Sequence, residues 1–256
     1  MPQPETWGWL LACAFAAQVI GTMTGFGSAT ILTPVAALFM DIKLAIAVVA
    51  CFHFFGNVSR LGLFWRSVDW RIFRLFGLIG IAGSFAGAHV AARLPSAALL
   101  FALGAFLLVY VAVSAPVFPW ARAGGLRLPA TGAVLATGGA CSGVIAGLIG
   151  TGGAIRSACL LAFGLPAEGY LGTSAAIAAA VDGTRIPVYM AQGLVPLDRV
   201  GLLTALVAVA FAGTWAGRWC VRRVSATTLT LMVLMLLAVM GVKFMIDGAA
   251  ALWGGS

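Results

Sequence analysis

Leu75-Phe-Gly-Leu-Ile-Gly-Ile-Ala-Gly-Ser-Phe-Ala-Gly-Ala-His-Val-Ala-Ala92 runs without a formal charge and without any alternation of apolar and polar residues. A barrel strand would alternate over roughly 10 residues, whereas a membrane helix needs roughly 17–25 apolar residues in a row. The run is bounded by Arg71 and Arg74 on one side and Arg93 on the other, the arrangement of a helix whose ends meet headgroups. Outward from it the pattern repeats. Apolar segments cover Trp7–Met23, Ser28–Met40, Leu44–Trp65, Ile72–Ala92, Ser96–Ala115, Ala130–Ile149, Ala154–Gly164, Gly169–Gln192, Val200–Val221 and Ala226–Ile246. With 62% hydrophobic and 9% charged residues and a mean hydropathy of +1.08, the 256-residue chain cannot cover the surface of a soluble globule. The fold class is an all-α integral membrane protein of about 8–10 helical segments.

The same run holds the clearest internal repeat. Ala82-Gly-Ser-Phe-Ala-Gly-Ala-His89 matches Ala212-Gly-Thr-Trp-Ala-Gly-Arg-Trp219, and Gly21 and Gly27 match Gly147 and Gly153. The chain therefore divides into a first transmembrane repeat (1–115), a cytoplasmic Pro/Gly/Arg-rich linker (116–128) and a second repeat (129–256). Each half has an odd number of crossings, either five or three plus a re-entrant hairpin, so the halves are expected to be inverted structural repeats. The AGxxAG stretches suit helix packing within one subunit or between the two copies of a homodimer.

Fifteen Lys+Arg against seven Asp+Glu give a net charge of +8. The arginines fall in short loops, which points to topology and membrane lipid rather than nucleic acid. Arg66, Arg71, Arg74, Arg122, Arg127, Arg218, Arg222 and Arg223 come to one side, and Lys43, Arg93, Arg199 and Lys243 to the other. The richer side is expected to be cytoplasmic, which places both termini outside. The first 15 residues have no basic region of the kind a cleaved signal carries.

Gly21-Thr-Met-Thr-Gly-Phe-Gly27 and Gly147-Leu-Ile-Gly-Thr-Gly-Gly153 each precede a short segment, Ser28–Met40 and Ala154–Gly164. Those segments span only about 17–20 Å of a roughly 30 Å core. Thr24, Gly25, Phe26 and Gly27 in the first break, and Gly150, Thr151, Gly152 and Gly153 in the second, would bring helix N-termini to mid-membrane as an anion cradle. The alternative is close packing through small residues. Buried charge adds to the cradle reading, because an arginine at mid-bilayer costs at least about 2.5 kcal/mol and needs a partner or a watery path. Arg156 has no local acidic partner and is the leading anion ligand, with snorkelling to a headgroup as the alternative. Asp182 and Arg185 share a helical face and form a charge pair or a coupling element. His53, Asn57 and Arg60 share a face of the third segment. His53 either relays a proton, binds substrate or is simply packed, Asn57 lines the centre, and Arg60 reaches the cytoplasmic interface. Thr173 and Ser174 either bond an oxyanion or cap backbone.

Gly143-Val-Ile-Ala-Gly-Leu-Ile-Gly-Thr-Gly-Gly153 followed by Leu171-Gly-Thr-Ser174, with Gly25-Phe-Gly27 and Pro34 in the first half, resembles the sulfite exporter TauE/SafE family of membrane permeases. The resemblance covers essentially the whole chain. It departs in lacking three consecutive glycines at each break and a proline near Cys159–Leu160. It implies a secondary transporter of the cell (inner) membrane that exports small sulfur-containing anions, such as sulfite or organosulfonates, by alternating access. A divalent-cation permease or a passive anion channel is the alternative. No enzyme is expected. The nearest string to a serine nucleophile element is Ala140-Cys-Ser-Gly143, the five cysteines form no CxxC pair, two histidines are too few for a metal cluster, and no P-loop is present. No cofactor is expected either.

Overall fold

In the computed structural model, residues 4–24, 27–114, 129, 131–196, 198, 200–220 and 226–254 are described, and none of them is in a strand. The first half comprises α1 (Pro4–Thr24), α2 (Ser28–Ala37), α3 (Ile42–Phe64), α4 (Trp70–Arg93) and α5 (Ser96–Ser114). The second comprises α6 (Gly132–Ile149), α7 (Gly153–Ala162), α8 (Ala167–Ala191), α9 (Val200–Cys220) and α10 (Ala226–Trp253). Six of these are long and apolar enough to cross a membrane, lying in α3–α6, α9 and α10. The sequence reading places the segments well, though α10 runs on past Ile246 to Trp253. The 116–128 linker, Arg122, Arg127, Arg199, Arg222 and Arg223 lie outside the described residues.

Helix starts are set by side-chain caps. Asp41 accepts from Lys43 N (2.9 Å), and Asp69 accepts from Arg71 N and Ile72 N (2.9 and 3.0 Å), each satisfying amides that the first turn leaves free. Between α1 and α2 the chain doubles back, since a Cβ on Gly21 would lie 2.5 Å from Ser28 N. The α6–α7 connection turns through Gly150, whose φ of +80° suits only glycine. Both short helices are hairpin returns.

Packing crosses between the halves. Helix α4 lies on α6 and α9 lies on α1, while α3 pairs with α8 and α5 with α10. Exchanging each helix for its counterpart in the other half maps this set onto itself. The AGxxAG blocks form the two crossed seams. A Cβ on Gly83 would lie 2.8 Å from Ala140 O, and one on Gly213 would lie 2.7 Å from Gln18 Cβ. Both blocks are thus used inside one subunit, where small residues let backbones approach. Opposite Gly83, a Cβ on Gly143 would lie 2.8 Å from Gly80 Cα, so Gly143→Val must push α4 and α6 apart. The expected cost is at least about 1–3 kcal/mol, read as a lowered melting temperature in detergent. The first residues of α4 include a π-helical turn, Phe73–Gly77, where the backbone of Phe76 meets Gly139.

Two apolar cores result. The larger joins buried residues of α1, α2, α3, α5, α9 and α10, including Leu32, Phe52, Leu103, Leu206 and Phe244, and takes in Ala88 of α4, Ile149 of α6 and Tyr189 of α8. The smaller joins α4, α6, α7 and α8 through Phe76, Leu135, Leu160 and Ile177.

Candidate functional site

The two glycine breaks meet where these cores adjoin. Gly27, with φ +82° and ψ 129°, stands at the N-terminus of α2, and Gly153 opens α7. A Cβ built on Gly27 would lie 3.4 Å from His53 Nε2, 3.7 Å from Arg156 Nη2 and 3.8 Å from Gly153 Cα. A ring nitrogen, a guanidinium and two helix starts therefore converge on one bare backbone position. Gly27 is needed there twice, for its positive φ and for the room its missing side chain leaves. Gly27→Ala is expected to fold with a cost of about 1–3 kcal/mol from backbone strain, and to place a methyl between His53 and Arg156.

Arg156 is 2% exposed. Its Nε donates to Ser174 Oγ (3.1 Å), and no carboxylate among the described residues forms an ion pair with it. Snorkelling to a headgroup does not describe this side chain, which stays inside. Ser28 Oγ and Thr151 Oγ1, one beside each break, are buried and have no hydrogen-bond partner among the described residues. His53 Nε2 is in the same condition. Buried polar atoms rarely stay unpaired, because each costs about 1–3 kcal/mol.

Behind His53 lies a tight ionic cluster. His53 Nδ1 is 2.7 Å from Asp182 Oδ2. Arg185 holds the other carboxylate oxygen, with Nη2 at 2.7 Å and Nε at 2.9 Å from Oδ1. The Arg185 Nη1 also donates to the carbonyl of Ala146, and Tyr189 Oη donates to Gly147 O (2.6 Å). Asp182 and Arg185 thus tie α8 to α3 and to the end of α6. Asn57 is buried but internally engaged: its Nδ2 donates to His53 O (2.7 Å), and its Oδ1 accepts from Arg60 Nη1 (3.4 Å).

The structure brings Gly27, His53, Gly153 and Arg156 together, with Ser174 bonded to Arg156. Gly150 and Gly152 shape the second turn, where Gly152 O accepts from Ser142 Oγ (2.9 Å). Thr173 lies apart, since its hydroxyl accepts the backbone N–H of Asp69 at the start of α4 (2.8 Å). Gly25 and Phe26, and the side chain of Thr24, lie outside the described residues.

Sequence reading misplaced one buried polar group, Arg60, and passed over two, Gln18 and Ser142. Arg60 is 2% exposed rather than interfacial, and its Nη2 donates to Thr22 Oγ1 (3.1 Å). Gln18 Nε2 donates to Thr214 Oγ1 (2.7 Å). Ser142 holds the second turn. Beside Arg60, a cavity of about 150 Å³ is lined by Thr22, Leu63, Phe64, Leu171, Thr214 and Arg218. Gln18 was findable as an isolated polar residue inside an apolar run, though not its partner.

A family model described as "Sulfite exporter TauE/SafE" matches residues 10–244. Comparison with curated proteins and with solved structures returned no match.

Proposed function

Because this multi-pass membrane protein belongs to the sulfite exporter TauE/SafE family of permeases, we propose that it moves a small sulfur-containing oxyanion, sulfite or a short organosulfonate, held where the two glycine breaks meet. The observation that carries this reading is Arg156: a buried guanidinium with no carboxylate paired to it among the described residues, at the point where two helix N-termini meet. Helix starts present amides and partial positive charge, and a guanidinium matches the geometry of an oxyanion. The substrate supplies the missing negative charge.

The transport mode proposed is alternating access. The α1–α2 hairpin packs in the larger core, and α7 with much of α6 in the smaller one, while α4, α6 and α8 contribute to both. Rocking one hairpin against the other would open the site to either side, as inverted repeats allow. Arg60 and Arg218, beside the cavity, attract anions to one mouth. We place that mouth in the cytoplasm and the termini outside, in the inner membrane, on the excess of arginine at that end of the helices.

The test is thermal unfolding of the detergent-purified protein with sulfite, sulfate, sulfoacetate, taurine, formate and a divalent cation. A ligand of the folded state raises the melting temperature by mass action. Stabilisation by sulfite or a sulfonate above the other anions is expected. No shift with any anion, or a shift with the cation alone, would overturn the assignment.

A further inference from the structure

We propose that the oxyanion is loaded together with one proton, held between His53 Nε2 and a bound oxygen. This rests on the anion-site reading above. Asp182 has both carboxylate oxygens engaged, Oδ1 by Arg185 and Oδ2 by His53. A carboxylate paired with a guanidinium is ionised and offers only lone pairs, so the proton between Oδ2 and Nδ1 belongs to the ring. A neutral imidazole then presents a bare lone pair at Nε2. That atom is buried, has no partner among the described residues, and faces Gly27 and Arg156.

An oxyanion oxygen also has only lone pairs. Two acceptors cannot bond, so the arrangement of His53 suits an anion only when a proton stands between them. A substrate with an acidic O–H, such as hydrogensulfite, brings that proton itself. A fully deprotonated one, such as a sulfonate or the sulfite dianion, requires an N–H bond to form at Nε2 with a proton taken from a buffer acid. The bond broken is the one that held the proton to the buffer acid, which leaves as its conjugate base.

The charges surrounding the ring agree. Asp182 and Arg185 act on it from α8 and Arg156 from α7. Helix α2 has no ionisable side chain, α3 itself adds Cys51 and Arg60, α5 adds Tyr110, and α9 adds Arg218 near its end. Two guanidiniums and one carboxylate face the ring, so an arriving anion meets net positive charge. The arriving anion supplies the charge that lets the ring hold a second proton.

Calorimetric titration of the full-length protein in detergent tests this, with methanesulfonate and with sulfite at mildly alkaline pH. Tris and triethanolamine serve as buffers because neither is a sulfonate and their ionisation heats differ. The apparent binding enthalpy is expected to differ between them by about one buffer ionisation per anion, with affinity falling up to about tenfold for each pH unit upward. His53→Gln, whose amide supplies a permanent N–H near the Nε2 position, is expected to bind with no buffer dependence. Anion binding by the parent protein with equal enthalpy in both buffers would overturn the proton and leave the anion site standing. Absence of binding by either anion would overturn the anion site itself.

Discussion

Arg156→Gln is expected to abolish anion binding while the protein resists heat at least as well as its parent. The two effects have opposite signs because the same charge serves one and opposes the other. In the folded protein Arg156 has Ser174 as its hydrogen-bond acceptor and no acidic partner among the described residues. Burying a guanidinium without a counter-charge opposes folding. Removing that charge should relieve the folded state, and the glutamine amide can still donate to Ser174 Oγ. For the bound anion the loss is large, because removing one partner of a buried charged contact costs about 2–5 kcal/mol. At about 1.4 kcal/mol per decade this is about 30-fold to several-thousand-fold in Kd. Calorimetry with sulfite and a melting curve without ligand read the two effects separately. A variant that binds sulfite like the parent, or one that no longer folds, would contradict this account.

Asp182→Asn is expected to show the reverse pattern, with folding as the principal casualty. Asp182 is 1% exposed and joins Arg185 and His53. Replacing it leaves Arg185 fully buried without a counter-charge, a change worth about 3–5 kcal/mol. It also leaves a single acceptor oxygen for which Arg185 and the His53 Nδ1–H must compete. The melting temperature should fall sharply, and a second substitution, Arg185→Met, should recover most of the loss by removing the stranded charge. If Asp182→Asn melts with its parent, or if the double variant is no better than the single, the pair does not hold α8 as described.

These two residues also mark how far the sequence could be read. Asp182 and Arg185 are three apart on one helix, so helical geometry alone makes them neighbours. The bond from His53 to Asp182 crosses 129 positions and joins α3 to α8, and nothing local announces it. The ten segments were legible because a bilayer demands long apolar runs, and the breaks because glycine interrupts them. Helix rotation was not legible. In lipid the outward and inward faces are both apolar, so hydropathy does not say which side of a helix meets its neighbours. For that reason Thr173 read as an equal of Ser174, although only Ser174 bonds to Arg156. Arg60 read as an interfacial residue because a long side chain near a helix end can turn outward. The widened turn at Phe73–Gly77 has no local sequence signal at all.

The crossed seams bear on how the protein is made. A chain emerging from the ribosome delivers α1 and α4 long before α9 and α6, the helices against which they pack. Membrane insertion of the first half must therefore precede most of its tertiary structure, with the glycine face of α4 and the Gln18 and Thr22 face of α1 waiting in lipid for partners still to be synthesised. Expressed alone, either half should be inserted yet cleared by proteolysis. Expressed together as separate chains, the two should find each other and be retained.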